Sequence, residues 1–366
     1  MTLLFTSYVS SPEYDQPVKW LKRINGYTGI LESLSLHHTV IGIERINFEG
    51  THEQNGVKYY FTRLKNKVVR FPWRMHRLVK KLKPDIVFIN GLIFPLQIIQ
   101  LRMKLGQGVK IIILHRAERP SNGIKKYLQK LADNYVNAYL FVSAEFGDLW
   151  VKNGNIRDPG KIREVLHGSS VFRPGDKVLP EFAGRVPGSP VFLWVGRLDA
   201  NKDPLTVVRA FIQFLAVQPM ARLYMIYQTE ELLPEITGLI NKDRTAEQGI
   251  SLIGKIPHEQ LQAWYVHADY IISGSHYEGG GISVCEAMSC GCIPLVTDII
   301  SFRRMTGPGK CGWLYQPGNE KALLEALLQT GNMDIEKEKE RTLKQFRAEL
   351  SFEAIAEKIN KVISSF

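Results

Sequence analysis

Glu278 and Glu286 bracket seven residues, and the first three of these are Gly279, Gly280 and Gly281, followed by Ile282. Three successive glycines leave backbone N–H groups unshielded by any Cβ. The helical pattern that follows directs its positive end back at that loop, an arrangement that holds a diphosphate without a metal. The two carboxylates are acceptor-only groups suited to vicinal hydroxyls on either side of it. Upstream, the apolar stretch VFLWV runs into Gly196-Arg197-Leu198, with Lys202 five residues after the arginine. Cations, glycine-led amides and two diol-binding acids describe a site for a nucleotide diphosphate sugar.

These two motifs resemble the donor half of a retaining glycosyltransferase of family 4, the glycosyl transferases group 1 type. Glu278 and Glu286 match the family's Glu-x7-Glu element, and Gly196, Arg197, Leu198 and Lys202 match its Gly-Arg-Leu-x3-Lys element. Between them the chain keeps the family's order of strand, Gly-Lys turn, helix and strand running into the acid loop. The resemblance covers about 190 to 330 and thins toward the N-terminus.

The resemblance implies a GT-B fold: two Rossmann-like parallel-sheet domains facing across a cleft, with a C-terminal helix crossing back to the N-terminal domain. It implies an N-terminal acceptor-binding domain over 1–175 joined by the helix 350–366, a linker over 176–190, and a nucleotide-sugar domain over 191–349. It also implies roles. Arg197 and Lys202 neutralise the leaving diphosphate, helped by Gly280 and Gly281. Glu286 takes the ribose hydroxyls, Glu278 those of the donor sugar, and His115, ending the strand VKIIILHR, positions that sugar from the other domain. Read alone, His115 is a strand-end histidine bonded to backbone, and His167 is structural. The family's glycine pair after the first strand is missing, since SSPEYDQPVKW stands there. The glycine usual after Asp298 is replaced by IISFRRM.

The elements needed to position these groups are legible as alternation. LLFTSYVS, HTVIGIERI, DIVFING, KIIILHR, AYLFVS and KIREVLHG are short apolar strands separated by basic or mixed helices, a pattern that calls for a parallel α/β sheet. A second series begins at PVFLWVGRL. At 366 residues the chain exceeds one typical core, so two domains are expected. The segment 172–190, with four Pro and three Gly, reads as their connection. No apolar run reaches the roughly 20 residues that span a bilayer. The start reads as a strand rather than a signal peptide, and four cysteines suggest a reducing compartment. The expected address is the cytoplasm, with peripheral attachment at the inner face of the membrane.

That last expectation comes from charge. Residues 1–185 hold 29 Lys+Arg against 15 Asp+Glu, whereas 186–366 hold 18 against 21. The excess concentrates in 58–84, with ten cations and no acid, and Phe71, Met75, Leu78 and Leu82 recur there at helical spacing beside Trp73. One reading is a sheet-covering helix with a solvated basic face. The other is a face that docks on anionic lipid through cations such as Lys80, Lys81 and Lys83. Nucleic acid ranks low, because no recognition module accompanies the charge. Cys285, Cys290 and Cys292 miss cluster spacing by one residue and read as packing thiols. With no Asp-x-Asp and no metal-spaced set, no metal and no cofactor are expected.

The chemistry expected is transfer of a hexose from a UDP- or GDP-sugar to a saccharide or lipid-linked saccharide with retention, in surface polysaccharide or glycolipid synthesis. A GT-B sugar-nucleotide epimerase and a non-catalytic binding subunit are the alternatives.

Overall fold

A computed structural model describes residues 1–63, 70–175 and 189–366. It divides into two compact units: Met1–Ser169 with Phe352–Phe366, and Ser170–Ser351. Most of the sequence's expected linker, 176–188, lies outside the described residues.

The first unit is an eight-stranded sheet. Its strands are β1 (Thr2–Ser7), β2 (Thr39–Glu44), β3 (Gly50–Gln54), β4 (Val57–Phe61), β5 (Ile86–Asn90), β6 (Lys110–Leu114), β7 (Ala138–Phe141) and β8 (Ile162–Glu164). They run in the order β3-β4-β2-β1-β5-β6-β7-β8, parallel throughout except for β3 against β4. The central strands are apolar on both faces; in β5, Ile86 to Ile89 are all buried, as a sheet covered on both sides requires. The helices are α1 (Pro17–Arg23), α2 (Asn25–Ser35), α3 (Trp73–Lys81), α4 (Pro95–Leu105), α5 (Gly123–Ala132) and α6 (Ala144–Lys152).

All six strands expected here are present. The β3–β4 hairpin is an addition, turned by Asn55 and Gly56, both with positive φ. Asn-Gly between alternating residues is the strongest short hairpin signal, and the alternating apolar side chains of VKYYF follow it directly.

The second unit carries a six-stranded parallel sheet. Its strands are β9 (Val191–Gly196), β10 (Arg222–Tyr227), β11 (Ile250–Gly254), β12 (Tyr270–Ser273), β13 (Ile293–Thr297) and β14 (Trp313–Tyr315), in the order β11-β10-β9-β12-β13-β14. The chain builds outward from β9 in one direction and then returns to its other side with β12. The gap between β9 and β12 is therefore the switch point, where open α/β sheets take their ligands. The covering helices are α7 (Pro204–Leu215), α8 (Leu233–Ile240), α9 (Arg244–Gly249), α10 (Leu261–His267), α11 (Ile282–Ser289), α12 (Ile300–Thr306), α13 (Glu320–Gln329) and α14 (Ile335–Glu349). The core gathers Phe192, Trp194, Phe211, Phe214 and Tyr270 with the aliphatic side chains of α7, β10 and α13. Among the described residues, no helix is long and apolar enough to cross a membrane.

The last helix, Phe352–Ile363, packs on α2 with Ile355, Ile359, Val362 and Ile363 buried. Gly29 lets the two approach: a Cβ there would lie 2.6 Å from the Phe352 ring. Alanine at 29 gains up to about 1 kcal/mol in helix propensity but must displace that ring. Gly29→Ala is therefore expected to lower stability by about 1–3 kcal/mol, read from the urea midpoint, with Phe352→Leu recovering part of the loss.

Candidate functional site

Two loops flank the switch point of the second sheet, and they are stitched together. The first leaves β9 as Arg197–Asp203; the second leaves β12 as Gly274–Gly281. His276 N–H donates to the Asn201 carbonyl at 2.8 Å, and Asn201 Nδ2 donates to the Tyr277 carbonyl at 3.0 Å. His276 Nε2 lies 3.2 Å from Asp203 Oδ2. Gly274 permits the approach, since a Cβ there would meet the Asp203 carbonyl at 2.8 Å. Asp203 adopts left-handed φ of 42° and caps α7, accepting from Thr206 N–H. A tight loop between strand and helix forces that conformation on a residue whose short side chain tolerates it.

The Lys202 ammonium is in direct contact with Glu278 Oε1. Ser275 Oγ donates to the same oxygen at 2.8 Å. Among the described residues, both side-chain contacts of this mostly buried carboxylate fall on Oε1, which leaves Oε2 to accept from something else. The Glu278 carbonyl is held in turn by Ser301 Oγ of α12. Arg197 is over half exposed and pairs with Asp199 at 2.9 Å.

Gly279 and Gly280 are half-buried, and Gly281 is the N-cap of α11 with φ of 51°. Any side chain at 281 would strike Phe302 at 2.8 Å and Met305 at 3.1 Å. No side chain caps α11, so the N–H groups of its first turn, starting at Ile282, have no partner within the helix. Glu286 sits on α11 and is buried. His258 Nε2 donates to its Oε1 at 2.7 Å, and Tyr265 OH donates to Oε2 at 3.4 Å. Burial first, and then the Glu286 charge, push the Tyr265 phenol far above its ordinary range. All four cysteines are buried thiols, and burial raises that of Cys292 as well. Among the described residues, no group of three or more His, Cys, Asp or Glu could hold a metal ion.

His115 belongs to the first unit, at the carboxyl end of β6. It is buried beside Phe141, Phe146 and Trp150. Its Nε2 lies 2.9 Å from the Glu118 carbonyl; a carbonyl only accepts, so Nε2 carries the proton and Nδ1 is the bare nitrogen, buried without a partner. Burial holds its pKa below the usual imidazole value, against the pull of Glu118. The turn behind it is built by the Glu118 carboxylate, which accepts from Leu92 N–H at 3.0 Å and Arg116 N–H at 2.6 Å. Gly91, with φ of 100°, leaves room for it. Ala117 takes φ of 66°, a strained value for a residue with a Cβ.

Spacing did not point to several of these groups. Asn201, His276, His258 and Glu118 act through backbone or across 28 to 76 residues, and Ser275 acts on Glu278 from only three residues away. Glu44, at the end of β2, is another: buried, it accepts from Trp20 Nε1 at 2.9 Å. The structure brings Lys202 to Glu278, sets Glu286 beside His258 and Tyr265, and leaves Arg197 on Asp199. His167 is buried, with its carbonyl accepting from Arg116.

Comparison with known proteins follows from this geometry. Residues 179–347 match the family model of glycosyl transferases group 1. A D-inositol 3-phosphate glycosyltransferase of Catenulispora acidiphila is 27% identical over 191 residues, 47% of this chain and 43% of that one. A GDP-mannose:cellobiosyl-diphosphopolyprenol alpha-mannosyltransferase of Xanthomonas campestris is 25% identical over 228 residues, 60% of this chain and 58% of that one. The chain thus spans about half the length of the curated relatives it matches. Among solved structures, a glycosyltransferase from Rickettsia africae superposes with TM-score 0.74 at 19% identity, covering 100% of this chain and 98% of that one. HepE of Anabaena, solved with UDP, gives 0.73 at 12% identity, covering both chains fully. The fold, two α/β units on parallel sheets, is that of the GT-B glycosyltransferases.

Burial raises the Glu44 carboxyl to about 7. The folded protein keeps that proton up to about pH 7, whereas the unfolded chain releases it in the ordinary carboxylate range. Between those values the folded state binds more protons, so this group's contribution falls as pH rises and the full penalty is present above 7. Glu44→Gln, which can still accept from Trp20, is expected to raise stability at pH 8 by on the order of 2–3 kcal/mol and to change little at pH 4. Thermal melts across that range measure it.

Proposed function

We propose that this chain is a retaining hexosyltransferase of family 4, moving a hexose from a UDP- or GDP-sugar to a saccharide or lipid-linked saccharide. The observation that carries the reading is the Lys202–Glu278 pair at the β9/β12 switch point, next to the glycine-led start of α11. Lys202 has further ammonium hydrogens to offer a diphosphate while one stays on Glu278, and Glu278 Oε2 is left for a sugar hydroxyl. The amides of the Gly279–Gly281 loop and the start of α11 supply donors and positive potential for the leaving diphosphate. Arg197 reaches the same charge by exchanging Asp199 for it. Glu286 accepts from the ribose hydroxyls, with His258 and Tyr265 orienting its two oxygens.

His115 positions the donor sugar as a neutral imidazole. No nucleophile is paired with a base in the described site, which favours a front-face reaction in which the leaving diphosphate takes the acceptor's proton. The expected setting is the cytoplasmic face of the membrane. An epimerase would release altered sugar without a mass shift on an added acceptor, and a binding subunit would show no turnover.

Arg197→Ala and Lys202→Ala are each expected to lower kcat by about 10²–10³-fold, the usual cost of losing one group that stabilises developing charge. Glu286→Ala is expected to act mainly on donor affinity, seen as a reduced thermal shift with UDP-glucose or GDP-mannose. Near-wild-type turnover in both cation variants would remove the assignment. Because cations and amides take the place of a metal, activity is expected to persist in EDTA; complete loss restored by Mg²⁺ or Mn²⁺ would show another chemistry.

A further inference from the structure

In the first unit β4, β5 and β6 are parallel, and each leads toward a helix that returns along one face of the sheet. The starts of α3, α4 and α5 therefore lie together at the carboxyl edge, the edge that also carries His115. Exposed apolar side chains gather at these starts. Phe71 and Trp73 are both about half exposed and stack on one another, ring centroids 6.1 Å apart at 17°. Ile93 is exposed just ahead of α4. Ile124 and Tyr127, 82% and 63% exposed, stand one turn apart at the head of α5.

Charge accompanies them with one sign. The segments of α3, α4 and α5 contain no Asp or Glu. Arg70, Arg74, Arg77, Arg119 and Lys125 are exposed around the apolar tips. Of the acids beside these helices, Glu118 ahead of α5 accepts from the Leu92 and Arg116 amides and Asp133 after it is buried; exposed acids follow on α6, Glu145 and Asp148. Scattered exposed apolar residues are ordinary. Five of them on three neighbouring helix starts whose own exposed charges are cationic form a surface that suits an anionic, partly apolar partner.

We infer that this tip docks on an anionic lipid surface, with Trp73, Tyr127, Phe71 and Ile124 entering the headgroup region and the cations facing lipid phosphates. Lipid is favoured over nucleic acid because exposed isoleucines offer no stacking face to bases. It is favoured over a protein partner because the charges are of one sign. The structure also relocates the surface expected from sequence. Leu64–Val69 lie outside the described residues, so the 58–84 run is not described whole. Within it, Phe71 leaves the packed stripe, and Met75, His76 and Val79 are buried instead. Lys80, Lys81 and Lys83 lie at the far end of α3, about 12 Å from Trp73 by the rise of a helix.

The test is flotation of the full chain with phosphatidylcholine vesicles, with and without phosphatidylglycerol, at low and high salt. Wild type is expected to float only with the anionic vesicles and to be released by salt. Trp73→Ser with Ile124→Ser, and separately Arg70→Glu with Arg74→Glu and Lys125→Glu, are expected to cut the bound fraction at least about tenfold. Lys80→Glu with Lys81→Glu and Lys83→Glu is expected to cut it far less. Brominated phosphatidylglycerol is expected to quench wild-type tryptophan fluorescence and to quench Trp73→Phe distinctly less, a readout that needs no charge reversal. Failure of wild type to float, equal flotation by the tip variants, or quenching that Trp73→Phe leaves unchanged would overturn the inference. Vesicles are used without sugar nucleotide, and the thermal shift with UDP-glucose is read separately, so this result and the donor assignment fail independently.

Discussion

The second unit depends on one contact between loops: the Lys202 ammonium against the Glu278 carboxylate, at the point where the sheet changes direction. A mostly buried carboxylate needs a cation and a hydroxyl to replace water, and it has both on a single oxygen. The backbone bond from His276 to Asn201 and the Asn201 side-chain amide on the Tyr277 carbonyl hold the two loops at the separation the pair needs. Thr297 Oγ1 and Tyr315 OH donate to the carbonyls of Ser275 and Ser273, tying the acid loop to the neighbouring strands β13 and β14. A polar network satisfied from four strands fixes one geometry, so the free oxygen of Glu278 points one way before any ligand arrives.

Much of this was legible in the residues. The strand–helix alternation announced two parallel sheets because parallel strands buried on both faces must be apolar throughout, and IVFI and IIIL are. Arg197, Lys202, the three glycines and the two acids stood out because their types and spacing suit one chemistry. What the sequence concealed were partners. His258 joins Glu286 from 28 residues away, and Ser275 is a serine among many until β12 places it beneath Glu278. The β3–β4 hairpin is written in the plain Asn-Gly signal at 55 and 56, an antiparallel element within an otherwise parallel alternation. The basic run read as one face from helical spacing alone; only the direction of α3 in the layer separates its lysines from its tryptophan.

In the first unit, burial governs ionisation. Glu44 is pushed toward its neutral form, and His115, His76 and His167 are all driven the same way by desolvation. Glu44, His115 and His167, which follow or end β2, β6 and β8, are thus driven toward their uncharged forms, as is His76 on α3. Burial lowers the Arg116 guanidinium in the same way, while it lies over the Tyr27 ring at 5.0 Å.

α12 supports the acid loop from beneath. Ser301 holds the Glu278 carbonyl, while Phe302 and Met305 form the seat on which Gly281 rests. This is the segment, IISFRRM, in which the sequence departs from the pattern of the family it resembles. The groups that touch a ligand can therefore stay fixed while the floor under them drifts. A change of volume at 302 or 305 would raise, lower or tilt the glycine loop by tenths of an ångström, leaving every recognisable motif in place. Divergence among such chains is then mechanical before it is chemical, and two proteins with identical signatures could differ in the stiffness of the surface that carries them.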